Sequence, residues 1–114
     1  MRKLSLEALA REHLDKAFKA PSGRSSTTVY GGHEHVMRQT LIAITAGKVL
    51  NEHESPGEAT VYVLAGRVRL VAGADSWEGR EGDFLIVPPN RHSLEAIGDA
   101  VVLLSVGAHD SHGE

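Results

Sequence analysis

Cysteine is absent from this sequence of 114 residues, and its absence narrows the chemistry open to the chain. Without cysteine there can be no disulfide scaffold, no thiolate metal site and no cysteine nucleophile. Histidine and carboxylate side chains are the strong transition-metal ligands that remain, and the sequence has 7 histidines. The composition therefore favours a histidine-based site if the protein binds a metal.

Aromatic residues, long apolar runs and excess positive charge are also scarce. Aromatic residues make up 4% of the chain, so aliphatic side chains must fill the core. No apolar run approaches the roughly 20 residues of a membrane span, and Glu7, Arg11 and Glu12 interrupt the start of the chain. The formal net charge is −3, which does not suit most nucleic-acid binders. We expect a cytoplasmic protein with neither a membrane nor a nucleic-acid partner.

Residues 5–19 have the periodicity of an amphipathic helix. Ser5 can cap its start, and Pro21 followed by Gly23 ends it. We expect the apolar face to dock on the rest of the fold or on a second subunit, because the mixed charge of the other face disfavours a membrane surface. His13 is predicted at the boundary of the apolar stripe. The stripe consists of apolar residues at steps of three and four: Leu6, Leu9, Ala10, Leu14, Ala17 and Phe18.

Short β-prone segments separated by turns follow the helix, and their spacing indicates an antiparallel sandwich or barrel. The segments on either side of Ala65-Gly66 are expected to form a hairpin. Tyr62, Trp77 and Phe84 are assigned to the core. We divide the chain into a helix and linker (1–24), a barrel (25–107) and a polar tail (108–114). About eight strands are predicted, at 27–30, 36–46, 48–53, 60–64, 67–71, 84–87, 92–97 and 100–106.

Two segments that begin at Gly47 and Gly82 resemble the two signature motifs of the cupin superfamily. The first family motif is Gly, five residues, His-x-His, three or four residues, Glu, six residues and Gly. Here Gly47, His53 and Gly66 match it. Ser55 occupies the second histidine position and Ala59 the glutamate position.

The second family motif is Gly, five residues, Pro-x-Gly, two residues, His, three residues and Asn. Gly82 and Pro88 match it, and Asn90 stands at the glycine position. One residue is missing before His92, and Ala96 stands at the asparagine position. The resemblance spans residues 40–106 and leaves two of the four family metal ligands in place.

The resemblance implies an all-β fold, a double-stranded β-helix or jelly roll, with a pocket inside the barrel and one α-helix before it. It also implies a homodimer, because small cupins commonly form dimers, often with exchanged N-terminal segments. The family includes metal-dependent dioxygenases, isomerases and lyases as well as non-enzymatic binding domains. The implied fold therefore leaves the function open.

Strand alternation predicts which histidines face the barrel interior. His92 shares the more apolar face of its strand, and His53 avoids the face that carries Lys48 and Glu52. Two imidazoles that converge from distant strands can share a divalent ion such as Fe, Mn, Ni or Zn. We therefore predict His53 and His92 as metal ligands. Each could instead be a hydrogen-bonded core histidine without a metal.

A third ligand is expected from the segment Gly32-His33-Glu34-His35. If the following strand starts early, His33 and His35 share a face with Gln39, and His35 becomes the third metal ligand. Gln39 would be a polar group on an otherwise mostly apolar face, which is typical of a pocket lining, so we predict that it contacts the ligand or cofactor. The alternative is an exposed loop for both histidines.

Three functions remain open at this point. We favour a small cupin-like protein that binds a small molecule in the barrel interior, through a divalent metal held by His53 and His92. The alternative is a metal-dependent enzyme of the dioxygenase, isomerase or lyase type acting on a small molecule. A third hypothesis is a structural or interaction protein whose barrel interior is filled by side chains. His109 and His112, in the tail, are expected to be incidental.

Overall fold

One helix precedes nine strands in the part of the chain that the structure describes. The structure is a computed structural model that describes residues 2–53, 57–89 and 91–108, with the backbone alone for 52, 53 and 108. Ser55, Asn90, His109 and His112 lie outside the described residues. The elements are α1 (Leu6–Lys19), β1 (Arg24–Gly31), β2 (Met37–Ile44), β3 (Val49–His53), β4 (Gly57–Ala65), β5 (Arg67–Ala72), β6 (Asp75–Arg80), β7 (Phe84–Val87), β8 (His92–Ala96) and β9 (Ala100–Ala108).

Two antiparallel sheets form the jelly roll that was predicted. The larger sheet has the strand order β1-β2-β9-β4-β7, and the smaller sheet has the order β3-β8-β5-β6. The inner faces, where the two sheets meet, bury most of the apolar side chains. They contribute to one core that contains Ile44, Ala59, Val61, Val63, Val68, Leu70, Val87, Leu94, Ala96, Ala100 and Val102.

Helix α1 covers part of the outer face of the larger sheet. The Ser5 hydroxyl accepts a hydrogen bond of 3.1 Å from the backbone N–H of Ala8, which confirms the predicted cap. The apolar stripe of the helix packs against Leu41, Ala43 and Val101. His13 is buried in this contact rather than at its boundary, and its Nδ1 lies 2.7 Å from Ser25 Oγ.

The predicted hairpin around Gly66 was wrong. β4 pairs with β7 and β9, whereas β5 pairs with β6 and β8, so the chain passes from one sheet to the other at Gly66. Gly66 has φ +81°, and a Cβ there would clash with the backbone oxygen of Asp99. The glycine that was taken for a hairpin turn therefore makes a corner of the barrel.

The sequence predicts one mostly apolar face for the strand that carries Gln39, but the structure buries apolar residues on both faces of β2. Ile42 and Ile44 belong to the core between the sheets, whereas Leu41 and Ala43 lie under the helix. Both faces of β2 are covered, so its apolar side chains do not show the alternation of a strand with one wet face. Residues with even numbers in β2 therefore face the barrel interior.

The aromatic side chains that were assigned to the core are partly exposed. Tyr62 is 38%, Trp77 45% and Phe84 60% exposed. Tyr62 and Phe84 are register partners on the outer face of the larger sheet, and Trp77 pairs with Leu70 on the edge strand β6. Among the described residues, the hydrophobic cluster between the sheets consists of aliphatic side chains.

Candidate functional site

One end of the barrel brings together the positions predicted to carry the chemistry. At this end β3 finishes at His53, β8 begins at His92, β2 begins at Met37 and β7 finishes at Val87. Three residues separate His53 from the start of β4, and four separate Val87 from His92, so the two sheets must meet here. We call this the histidine end of the barrel.

The backbone register places His53 directly opposite His92. Leu50 pairs with Leu94 and His53 pairs with His92, so β3 has one residue more than β8 between the two pairs. This irregularity changes the face that simple alternation would assign to His53, as a β-bulge does. The side chain of His53 lies outside what the structure describes. That of His92 is 6% exposed and has an interaction partner.

A small apolar cavity lies beside His92, between the two sheets. Its volume is about 30 Å³, which exceeds the space that one water molecule needs. Among the described residues that line it, His92 is the single polar side chain. The barrel interior is therefore not completely filled by the side chains that the structure describes. The apolar lining consists of Ile42, Leu50, Val61, Leu70, Val87, Leu94, Val102 and Leu104.

His35 lies at the histidine end but in an exposed loop. The loop joins β1 to β2, and the backbone N–H of His35 donates a 3.1 Å hydrogen bond to the Gly32 carbonyl. The His35 ring lies edge-on to Tyr30, with 5.7 Å between the ring centroids. His33 is exposed in the same loop. The structure thus places His35 near the end of the barrel without joining it to His92.

Gln39 is on the outer face of β2, away from the barrel cavity. Its Nε2 donates a 3.0 Å hydrogen bond to the hydroxyl of Ser105, its register partner on β9. It lines a separate groove below the start of α1, together with Arg2, Leu4, Tyr30 and other apolar residues. The structure does not bring Gln39 together with the predicted histidine pair, and its contact with a ligand stays a prediction.

The residues at the histidine end could supply some, but not all, of the ligands that a metal ion needs. Within the residues that the structure describes, no group of three or more His, Asp or Glu side chains is arranged to hold a metal ion. His92 is buried beside a cavity and opposite a second histidine, as a pair of ligands would be. The remaining positions of such a shell would need water or a bound molecule.

Sequence reasoning missed the polar residues that share the inner face of β2. Arg38 and Thr40 are two and four residues before Ile42, so they lie on the face of the barrel interior. The prediction that Gln39 lines the pocket puts Arg38 and Thr40 on the opposite face, because successive residues of a strand alternate between its two faces. The amphipathic helix was expected to dock on the rest of the fold or on a second subunit, and its sequence does not specify that β2 is the strand it covers.

Comparison with known proteins identifies the family. A family model described as "Cupin domain" matches residues 40–107, so the chain belongs to the cupin domain family. No curated protein matches the sequence. Among solved structures, a conserved protein of unknown function from Streptococcus pyogenes has a TM-score of 0.72 and 22% identity, over 81% of this chain and 80% of that chain.

Two further structures share the fold. A cupin superfamily protein from Desulfitobacterium hafniense has a TM-score of 0.69 and 17% identity, over 75% of this chain and 78% of that chain. A variant of salicylate 1,2-dioxygenase from Pseudoaminobacter salicylatoxidans has a TM-score of 0.73 and 17% identity, over 90% of this chain and 34% of that chain. At these identities the likeness establishes the fold alone. In the described residues, no helix has the length and apolar character to span a membrane.

Proposed function

We propose that the protein binds a small molecule at the histidine end of the barrel, through a divalent metal ion held by His53 and His92. The observation that carries this proposal is the register pair itself. His92 is buried beside the cavity, and His53 is its direct partner on the neighbouring strand. Opposite residues of an antiparallel pair have Cβ atoms about 4.5–5.5 Å apart on one face, which suits two ligands of one ion.

A binding role is favoured over catalysis by the lining of the cavity. The described lining offers one imidazole among apolar side chains, and Ala59 stands where the family motif has a carboxylate. General acid–base catalysis needs a positioned side chain that takes or gives a proton, and in this proposal the one described imidazole of the lining is occupied as a metal ligand. Members of the cupin family bind small molecules and often metals, which agrees with the binding role.

The metal proposal is tested by titrating metal-free protein with Mn²⁺, Ni²⁺ and Zn²⁺ in a calorimeter. We expect about one ion per chain, and a loss of affinity of at least about tenfold in His53→Ala and in His92→Gln. His33→Ala is the matched control, because His33 is exposed in the β1–β2 loop at the same end of the barrel. His35→Ala measures whether His35 completes the shell.

Thermal unfolding of each variant shows that it is folded, and this check matters most for the buried His92. The metal proposal fails if none of the three ions binds the wild-type protein. It also fails if folded His53→Ala and His92→Gln bind the ion as tightly as His33→Ala does.

We also propose that the chain forms a homodimer through the half of the larger sheet that α1 leaves uncovered. The supporting observation is an exposed apolar patch on β4 and the edge strand β7, which we call the β4–β7 patch and define as Tyr62, Phe84 and Ile86. Phe84 is 60% and Ile86 77% exposed. Adjacent exposed apolar side chains on an edge strand are typical of a surface that another chain covers.

A further inference from the structure

Arg38 stands at the histidine end of the barrel, on the inner face of the larger sheet. β2 and β9 pair without a register shift from Met37–Gly107 to Ile44–Ala100, so alternation along β2 is uninterrupted. Ile42 and Ile44 face the core between the sheets, and Arg38 therefore shares their face. Its register partner on β9, Val106, packs against the same core.

A row of register partners connects Arg38 with the cavity. Val106 pairs with Ala59 of β4, and Ala59 pairs with Val87 of β7. Val87 lines the cavity together with His92. On the other side of Arg38 the partner is Gly31 of β1, so β1 places no side chain beside it at this position. Arg38 thus lies at the same end of the barrel as His92, on the inner face of the facing sheet.

The guanidinium group of Arg38 has no hydrogen bond or ion pair with any residue that the structure describes. By contrast, Arg67 and Arg69 on β5 both pair with Glu78. The inner face of β2 changes from charged Arg38 through the hydroxyl of Thr40 to apolar Ile42, which lines the cavity. A ligand that matches this order carries its anionic group at the rim and an apolar body toward the interior.

We infer that Arg38 binds the carboxylate of a small organic acid whose apolar body lies over the cavity beside His92. The planar guanidinium fork matches the two oxygens of a carboxylate, and such charge-assisted bonds are stronger than neutral ones. The inference rests on the proposed function in one respect, that the histidine end of the barrel takes a small molecule. It adds the chemical class of that molecule and a residue that selects it.

The test compares hexanoate with hexanamide, which has the same chain and shape but no charge. Both are titrated into metal-free protein in the presence of a chelator, so that a carboxylate–metal bond cannot contribute. The wild-type protein should bind hexanoate at least about 10-fold more tightly than hexanamide. Arg38→Gln should remove that preference, and Arg38→Lys should keep part of it because it keeps the charge but not the fork.

Arg24→Gln is the matched control for this experiment. Arg24 and Arg38 are both exposed and both lie on the larger sheet. Arg24 pairs with Ile44, at the opposite end of β2 from Arg38. The preference for hexanoate should be unchanged in this variant. The inference is overturned if hexanoate does not bind the wild-type protein, if hexanamide binds equally well, or if Arg38→Gln and Arg24→Gln behave alike.

The failure of this inference and the failure of the metal proposal are distinguishable. The hexanoate titration contains no metal, so its outcome does not depend on whether His53 and His92 hold an ion. A repeat in His92→Gln should retain the effect of Arg38→Gln, because Arg38 lies on the facing sheet. Loss of metal binding with an intact carboxylate preference would overturn the first proposal alone.

Discussion

Single positions in this protein are constrained by what lies next to them in the folded chain. Gly66 is the sharpest case, because it combines a left-handed backbone conformation with close contact to a second segment. Its φ is +81°, and an added Cβ would meet the backbone oxygen of Asp99 and the Cα of Ala100. Its conformation alone would disfavour any other residue, and the contact leaves no space for a side chain.

We predict that Gly66→Ala lowers the free energy of unfolding by about 2 kcal/mol or more. The positive φ accounts for about 1–2 kcal/mol of this loss, and displacement of the Asp99 backbone adds to it. Gly73→Ala separates the two causes. Gly73 has φ +63° but no atom within 4 Å of an added Cβ, so its loss should be about 1 kcal/mol.

Urea unfolding of both variants measures the difference. An equal loss in Gly66→Ala and Gly73→Ala would show that the contact with Asp99 contributes nothing to the free energy of unfolding.

For His92 and Arg38, the proposed role depends on the surroundings of the side chain as well as on the residue type. A histidine can be a core residue, a ligand or a surface group, and the sequence of β8 alone does not decide among them. The structure buries His92 beside a cavity and opposite a second histidine, and the proposal that it is a metal ligand rests on this environment. Arg38 acquires its proposed role from the face of β2 on which it lies.

Among the elements, three strands of the smaller sheet are joined by a network of charges on their outer face. Arg67 of β5 donates hydrogen bonds of 2.7 and 3.1 Å to Glu78 of β6, and Arg69 of β5 donates to Glu78 and to Glu95 of β8. Hydrogen bonds from Arg67, and secondarily from Arg69, hold the pKa of Glu78 below its usual value. The charged form of Glu78 is therefore favoured by folding.

We predict that this network makes the protein less stable in acid. A carboxyl whose pKa is lowered by folding stabilises the protein above its unfolded pKa, about 4.3, and that contribution disappears as the pH falls through the folded pKa. Wild-type protein should therefore lose more stability between pH 6 and pH 3 than Glu78→Gln, and the two should converge in acid. Urea midpoints at pH 6, 4.5 and 3 check this.

Glu81→Gln is the control for the acid experiment, since Glu81 lies in the β6–β7 turn and forms no ion pair with a described residue. Its pH dependence should match that of the wild-type protein. A Glu78→Gln profile that runs parallel to the wild-type profile from pH 6 to pH 3 would contradict the prediction.

Helix α1 changes the environment of strand β2, on which it docks. Its periodicity and cap predict its position within one residue, because both depend on neighbours in the sequence. Its docking on Leu41 and Ala43 is a tertiary contact, and it gives β2 a second buried face. The mostly apolar face that carries Gln39 was predicted to line a pocket, whereas in the structure Gln39 lies beside Ser105 on the outer face.

For the whole molecule, the uncovered part of the larger sheet leads to a prediction about assembly. The β4–β7 patch lies at a sheet edge, where a second copy could cover it by a two-fold symmetric contact. We expect the wild-type protein to have twice the chain mass of 12.2 kDa at micromolar concentration. Ile86→Lys should convert it to monomer, because a charge would be buried without a partner in the contact.

Val36→Lys is the matched control for assembly, since Val36 is 75% exposed but lies in the β1–β2 loop. Sedimentation velocity over a range of concentrations gives the mass of each variant. A wild-type monomer at every concentration would overturn the dimer proposal. Equal dissociation in Val36→Lys would show that the contact does not depend on the β4–β7 patch.

The sequence by itself determined the family and most of the elements, although β6 (Asp75–Arg80) is missing from the predicted strands. Helix α1 and most strands follow from local periodicity and turn residues, and the segments around His53 and His92 carry the resemblance that the family match confirms. The absence of cysteine also restricted any metal site to histidines and carboxylates. These features depend on residues that are close together along the chain.

The tertiary structure alone decided which strands pair and which faces point inward. β4 pairs with β9 rather than with β5, and the extra residue in β3 brings His53 opposite His92. Such pairings join segments that are far apart in sequence, so no local pattern specifies them. The inner position of Arg38 could not be predicted either, because β2 is buried on both faces and carries apolar residues on each.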